Sequence, residues 1–369
     1  MTRPDAVVVG AGVVGAAVAW HLARDGHRVD VLEAGFPGCG ATGGGMGHIV
    51  VLDDSPAQLA LCRYSAGLIR ELAAGLAASV ELDRCGTLWV AEDEAQLDAA
   101  ARRCTRYREA GLAAELLDAA SLAEAEPELR PGLAGALLVP GDGVVYPPAL
   151  CRWLLEQAAA CGARVRTGAV VTGIDDRGVT LQDGRLDAGI VVNAAGAAAP
   201  ALTRGLGIVP RKGHLVITDR YPGFCRHQLA EMGYMKSAHD MTAASVAFNI
   251  QPRLTGQVLV GSSRELTGWD ARVDRAVTAR MLARAAAFVP GLRRLRAIRT
   301  WTAFRPATPD GLPYIGPWGD GGRTWVAAGH EGLGITTALG TGRVLADLVA
   351  GRAPAIDPAP YAPMRSIAA

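Results

Sequence analysis

The run Gly10-Ala11-Gly12-Val13-Val14-Gly15 constrains this chain more than any other feature. It stands between an apolar run, Ala6–Val9, and a helical pattern over Val13–Arg24 that Gly26 closes as a C-cap. A second apolar run, Arg28–Leu32, follows and ends at Glu33. Glycines at this spacing between strand and helix, with an acid ending the next strand, define a dinucleotide-binding βαβ unit. Gly10 permits the tight turn, Gly12 lets the backbone approach a pyrophosphate, and Gly15 lets the helix pack on the sheet. The helix N-terminus offers N–H groups and about half a positive charge to the phosphates. Glu33 accepts from ribose hydroxyls and repels a 2′-phosphate. The bland alternative, a glycine turn in some other α/β fold, requires all these parts to coincide by accident.

Composition narrows the class. The chain has 369 residues, half of them hydrophobic, enough for two domains or one large domain with an insert. Its formal net charge of +1 and interspersed charges show no basic face, so no nucleic-acid partner is expected. Seven cysteines are scattered without a CxxC pair, which argues against a disulfide framework or a metal site and suits a reducing cytoplasm. The apolar stretch Ala6–Leu22 reads as the βαβ core rather than a targeting segment, and no run suffices to span a bilayer.

Further along, Ser55-Pro56-Ala57-Gln58 marks a helix start, with Ser55 as cap, Pro56 at the first helical position and Gln58 completing a capping box. That helix should reach about Ala73, with others over Glu94–Ala110, Ser121–Glu126, Pro147–Cys161, Arg272–Phe288 and Gly334–Ala350. Strands are expected at Thr87–Ala91, Arg164–Arg166, Val170–Asp175, Leu186–Asn193, Ile298–Phe304 and Thr324–Ala328. Between them, His214–Thr218, Tyr234–Lys236, Ser245–Gln251 and Gln257–Gly261 suit an antiparallel sheet. A parallel α/β layer interrupted by a β-rich insert and then resumed implies two domains, each discontinuous. Residues 1–84, 146–208 and 306–369 would form the cofactor domain, and 85–145 with 209–305 the substrate domain.

Four later segments bear on chemistry. The loop Ala41-Thr42-Gly43-Gly44-Gly45-Met46-Gly47-His48 has a glycine content that suits close backbone approach to a ligand, and FAD enzymes commonly place such a loop straight after the acid. Ala194-Ala195-Gly196 ends an apolar strand with small residues, leaving room for a cofactor or making a buried turn. Trp301-Thr302-Ala303-Phe304-Arg305-Pro306 continues through Asp310-Gly311 to Ile315-Gly316-Pro317. Gly329-His330-Glu331-Gly332-Leu333-Gly334-Ile335-Thr336 is again strand, glycine turn, helix start, and that second N-terminus could stabilise negative charge on a flavin.

In this order, the motifs make the chain resemble the D-amino acid oxidase family of FAD-dependent amine oxidases and dehydrogenases, over essentially its whole length. The resemblance implies an α/β fold: a Rossmann-like FAD-binding domain with a discontinuous mixed or antiparallel-sheet substrate domain. It implies FAD contacts from Gly10, Ala11, Gly12, Val13, Val14, Gly15, Glu33, Ala34, Ala41, Thr42, Met46, Gly47, Val170, Ala194, Ala195, Gly196, Gly332, Leu333, Gly334, Ile335 and Thr336. Arg305 matches the family's arginine after the Trp-containing strand, which binds a substrate carboxylate; otherwise it pairs with Asp310 or Glu331. His48 matches a position near the flavin in related D-amino acid dehydrogenases; otherwise it is a satisfied core histidine. His48, Arg305 and Glu331 are the catalytic candidates, and Asn249 and His330 join His48 and Arg305 as substrate-binding candidates.

Two departures from the family stand out. No cysteine follows Cys225, so FAD cannot be attached near Trp301–Pro306 as in sarcosine oxidase-like members, and non-covalent binding is expected. The last turn carries Glu331 where glycine oxidase-like members carry arginine. The runs Met46–Pro56 and Gly329–Ile335 look most like the bacterial hydroxyproline-pathway branch. The expected activity is oxidation of a C–N bond in a small amino or imino acid by hydride transfer to flavin N5, with cis-4-hydroxy-D-proline or D-proline favoured. The alternatives are a glycine or sarcosine-type oxidase, a flavin monooxygenase, and a flavoprotein subunit of a larger complex. Electrons would pass to O2 or to partner subunits, since the chain shows no electron-transfer motif of its own.

Overall fold

A computed structural model describes residues 3–233, 245–319 and 322–366. It opens on β1 (Ala6–Val9), α1 (Val13–Arg24) and β2 (Val29–Glu33). β1 and β2 are buried along their whole length, as expected of parallel strands covered on both faces. The glycine loop is more regular than its composition suggests, since it contains a single helical turn, α2 (Ala41–Gly44), before β3 (His48–Ile49). α3 (Pro56–Leu72) starts as expected, with Ser55 Oγ accepting from the Gln58 N–H at 3.1 Å. The reciprocal bond is shifted by one residue, because Gln58 Oε1 accepts from Asp54 N–H rather than from Ser55.

β4 (Thr87–Ala91), α4 (Glu94–Glu109), β5 (Glu115–Asp118), α5 (Ala119–Ala125), β6 (Gly135–Val139) and β7 (Gly143–Val144) follow, then α6 (Pro147–Ala160). β8 (Arg164–Thr167), β9 (Val171–Asp175), β10 (Gly178–Leu181), β11 (Gly184–Asp187) and β12 (Ile190–Asn193) come next, then the short α7 (Ala199–Leu202). The expected single strand Leu186–Asn193 is thus two strands in different sheets. The chain turns between them at Ala188-Gly189, where a Cβ on Gly189 would lie 3.0 Å from the Asp5 carbonyl oxygen. The rest comprises β13 (Val209–Thr218), β14 (Gln228–Glu231), β15 (Ser245–Pro252), β16 (Val258–Arg264), α8 (Arg275–Phe288), β17 (Ala297–Ala307), β18 (Tyr314–Pro317), β19 (Thr324–Ala328) and α9 (Gly334–Val349). The expected strand Tyr234–Lys236 lies outside the described residues.

Two large sheets organise the described residues. The six-stranded one runs β18-β19-β12-β1-β2-β8, parallel except for β18. Helices α1, α6 and α9 cover it, with a core of Val8, Val31, Val192, Leu22, Leu154 and Leu345. Burying side chains of this size contributes about 1.5–3 kcal/mol each. The second sheet runs β17-β13-β16-β15-β14-β4-β6-β5 and is mixed, because β14 pairs with β4 in parallel. It is packed by α8 through Phe248, Phe288 and Met281. The carboxyl ends of β1, β2 and β12 and one face of the second sheet meet where β3 and the start of α9 lie.

Candidate active site

The glycine turn after β1 is dictated by contact. Gly10 has φ +105°, and a Cβ there would sit 2.6 Å from the Ala194 carbonyl oxygen; one on Gly15 would sit 2.0 Å from the Gly10 oxygen. Close packing therefore joins the fingerprint to the Ala194-Ala195-Gly196 strand end. Gly12 caps α1 without a side chain, and Thr42 Oγ1 accepts from the Val13 N–H at 3.0 Å. The Glu33 carboxylate accepts from the N–H groups of Ala11 at 2.8 Å and Gly35 at 2.9 Å, which holds it beside the turn. Ala169 N–H donates to the Glu33 carbonyl at 2.9 Å and brings neighbouring Val170 to the same end of the sheet. Ala34 and Ala41 are exposed on this rim.

Gly334 faces Val14, since a Cβ on it would lie 3.9 Å from Val14 Cγ2; the N-termini of α1 and α9 are thus neighbours. Thr336 Oγ1 donates to the His48 carbonyl at 3.0 Å and accepts from Val50 N–H at 3.1 Å, tying α9 to β3. Met46 packs on Leu215 and Leu259 of the second sheet, Ile335 is buried in the helix-covered core, and Gly47 has φ +98° with Val145 directly against it. Side chains added at Gly40 or Gly196 would meet nothing within 4 Å. The result is a small-residue strip across the carboxyl ends of the parallel strands, lined by two helix N-termini and a carboxylate, with open space beside it. An extended dinucleotide fits such a strip.

A cavity of about 100 Å³ lies between β3, the start of α9 and the second sheet. Register explains its wall. Thr87 and Gln228 are partners in the parallel β4–β14 pair, and Ala230 is opposite Asn249 across β14 and β15. Their side chains therefore share a face with Trp89, and all five line the cavity. His48 closes it from β3. Gln228 Oε1 meets His48 Nδ1, and Asn249 Nδ2 lies 3.1 Å from His48 Nε2. Burial lowers the His48 pKa to about 4, against the Gln228 hydrogen bond and with help from nearby Arg305, so the ring is neutral at neutral pH.

The charged part of the wall centres on Glu331. Burial would raise its pKa, but Arg264, Arg305 and Arg211 together hold it below the usual carboxylate range. Glu331 Oε1 is 3.8 Å from both Arg211 and Arg264 and has no hydrogen bond. Arg211 and Arg305 stand directly opposite each other on β13 and β17, a like-charge pair that is unfavourable without a shared anion. Arg305 Nη1 donates to the Ser263 carbonyl at 3.0 Å. Its Nε edge faces Gly332, where a Cβ would lie 3.8 Å away.

Of the sequence candidates, His48, Asn249, Glu331, Gly332 and Leu333 line the cavity. Arg305 stands just behind, near enough to bias His48 and Glu331. It does not pair with Asp310, whose carboxylate is taken by Arg365. His330 points away into the core, with Nε2 2.9 Å from Thr341 Oγ1, and burial lowers its pKa to about 3. Arg211, Arg264, Gln228 and Trp89 escape a reading of the sequence. The expected strand began only at His214, whereas β13 starts at Val209 and so includes Arg211.

Comparison with known proteins agrees with this geometry. The family DAO, described as FAD dependent oxidoreductase, matches residues 5–348. A glycine oxidase from Geobacillus kaustophilus is 32% identical, over 99% of this chain and 98% of its own. A D-amino acid dehydrogenase from Cereibacter sphaeroides is 30% identical, over 96% of this chain and 93% of its own. The crystal structure of glycine oxidase from Geobacillus kaustophilus superposes with a TM-score of 0.90 at 30% identity, covering 100% of both chains. The chain belongs to the DAO family of FAD-dependent oxidoreductases, among its amino acid oxidases and dehydrogenases.

Proposed function

We propose that this chain oxidises the C–N bond of a small amino or imino acid, with cis-4-hydroxy-D-proline or D-proline as the leading substrates. The observation that carries this reading is one small cavity with an arginine cluster beside two acceptors that lack donors, Asn249 Oδ1 and ionised Glu331 Oε1. The arginines suit a carboxylate, with Arg305 offering the guanidinium edge at Gly332 as a fork. The two acceptors suit an amine N–H and, on a hydroxylated ring, an O–H. A cavity of about 100 Å³ suits a small substrate.

FAD, when bound, supplies the two-electron acceptor for hydride released from the substrate α carbon. The strip from Gly10 to Gly15, Glu33, Thr42, Val170, Ala194–Gly196 and Gly332–Thr336 would hold it, without a covalent bond. Neutral His48 orients the substrate rather than protonating it, and Glu331 keeps the nitrogen's departing proton within reach at Oε1. Loss of hydride and proton leaves a C=N bond. An acyclic imine then hydrolyses to a keto acid and ammonia, whereas a cyclic one leaves as such. Reoxidation falls to O2 or to partner subunits. All seven cysteines are free, which supports a reducing cytoplasm as the setting.

A second reading is a glycine or sarcosine-type oxidase, favoured by the 32% identity to a glycine oxidase. Monooxygenase activity has no such support. The test is anaerobic mixing of the yellow holoenzyme with separate D- and L-amino and imino acids. Bleaching by D-proline or its 4-hydroxy form is the expected result; glycine and sarcosine bleaching alone selects the second reading. A holoenzyme bleached by none of them refutes both. Peroxide release in air separates oxidase from dehydrogenase.

A further inference from the structure

The cavity wall is layered, and sheet register sets the layers. On β4 and β14, Thr87 is the partner of Gln228, and Trp89, two residues on, is the partner of Ala230. Two strand residues span about 6–7 Å, so a polar pair is followed at that distance by an apolar one. The chain leaving β3 repeats this order. His48, Val50, Leu52 and Asp54 line the cavity at alternate positions. His48 meets Gln228 in the polar layer, and exposed Asp54 marks the side open to solvent. Val50 and Leu52 fall between them. They share one apolar cluster with Trp89 and Ala230, and Leu333 packs against it.

Trp89 is the largest side chain of the apolar layer, and α4 holds it in place. The Arg103 guanidinium lies 4.9 Å from its ring centroid. Arg103 is itself buried, pairs with Asp53 at 2.6 Å and donates to the Tyr107 hydroxyl at 3.1 Å. That hydroxyl donates in turn to the Val51 carbonyl at 2.6 Å. A cation fixed by a buried ion pair and a hydrogen bond leaves the indole no room to swing toward α4. The apolar layer therefore has a set depth rather than an adjustable one.

We infer that the substrate carries a small apolar side chain or ring, and that Trp89 is the residue that determines how large it is. This rests on the cavity as the substrate site. The polar groups around His48 and the arginines take the amine and the carboxylate, and the apolar layer takes the carbon beyond Cα. Glycine, with no side chain, leaves that layer without a partner, whereas a proline ring or a short alkyl chain fills it.

Magnitude makes the assignment measurable. Each methylene moved from water into an apolar layer strengthens binding about fourfold. Affinity should therefore climb along the series glycine, D-alanine, D-2-aminobutyrate and D-norvaline. It should collapse for D-phenylalanine, whose ring needs the volume that Trp89 occupies. A wall that merely supports the fold would weaken every member of the series alike.

The test uses the holoenzyme and steady-state kinetics with glycine, the D-amino acid series, D-proline and D-phenylalanine. Wild type should favour D-proline over glycine on the order of tenfold or more in kcat/KM. Trp89→Ala should raise KM for D-proline about tenfold, leave KM for glycine within about twofold, and admit D-phenylalanine. Ala230→Val, which adds bulk to the same layer, should raise KM for D-proline and spare glycine. If Trp89→Ala does not fold, Trp89→Phe and Ala230→Val carry the same comparison. Equal kcat/KM for glycine and D-proline in wild type overturns the assignment. So does a Trp89 variant that shifts KM for both substrates alike, or for neither. If wild type oxidises none of these compounds, the substrate reading fails, and calorimetric titration of the holoenzyme with acetate, propionate and butyrate decides the layer. Binding that tightens about fourfold per methylene in wild type, and loses that slope in Trp89→Ala, upholds it; equal Kd values along the series refute it.

Discussion

At Glu331 the backbone lies in the left-handed region, with φ +46°, and its N–H donates to the Pro306 carbonyl at 3.0 Å. That strained turn points a carboxylate back at the arginines of β13 and β17, where it offsets a like-charge cross-strand pair. Arg305→Met should lower kcat/KM for carboxylate substrates by about 2–4 kcal/mol in transition-state terms, while FAD content stays intact. Unchanged steady-state kinetics would remove Arg305 from the substrate site. The acid in the last turn, His48 and Asn249 were legible as single polar residues in suggestive places. Arg211 and Arg264 were not, because a residue's face depends on strand register, and register here is set by partners far along the chain.

Among elements, the β1–α1–β2 unit was the most legible, with α1 at its expected bounds and β2 shifted by one residue. Its signals are local: apolar runs, glycines at fixed spacing, and an acid at the strand end. The fit is tight enough to test. Gly15→Ala would drive a methyl toward the Gly10 oxygen and should cost about 1–3 kcal/mol in chemical denaturation, together with flavin loss. Glu33→Arg removes the acceptor for two backbone N–H groups and should yield protein that emerges from gel filtration colourless; full flavin occupancy would undercut the ribose assignment. β14 shows why other elements were missed. Its sequence, QLAE, is half polar, yet every residue is buried. Gln228 is satisfied by Thr87 and His48, and Glu231 by the Phe248 N–H and Arg284, so long-range partners replace the apolar pattern that marks a central strand.

For the molecule as a whole, buried histidines tie stability to pH. Burial lowers the pKa of His21 to about 4, of His48 to about 4 and of His330 to about 3, from an ordinary 6.5. The unfolded chain takes up these protons below about pH 6.5 and the folded chain does not, so stability is full above that point and falls on acidification. Asp142 acts oppositely, because its raised pKa loses stability as pH rises from 3.8 to about 7. Three histidines outweigh one carboxyl, so Tm should drop between pH 7 and pH 5, on the order of several degrees. His21 is the cleanest probe, since neither ring nitrogen has a partner. His21→Leu should make the Tm–pH slope shallower, and parallel slopes would rule out its share. No helix among the described residues is long and apolar enough to cross a membrane, as the hydropathy pattern implied. The sequence by itself determined the dinucleotide unit, the α/β class and the family, because these rest on short-range spacing of glycines, apolar runs and one acid. The tertiary structure alone decided which polar residues share the cavity and that His330 is sealed in the core. These outcomes depend on sheet register and burial, which bring together side chains more than a hundred residues apart in the chain.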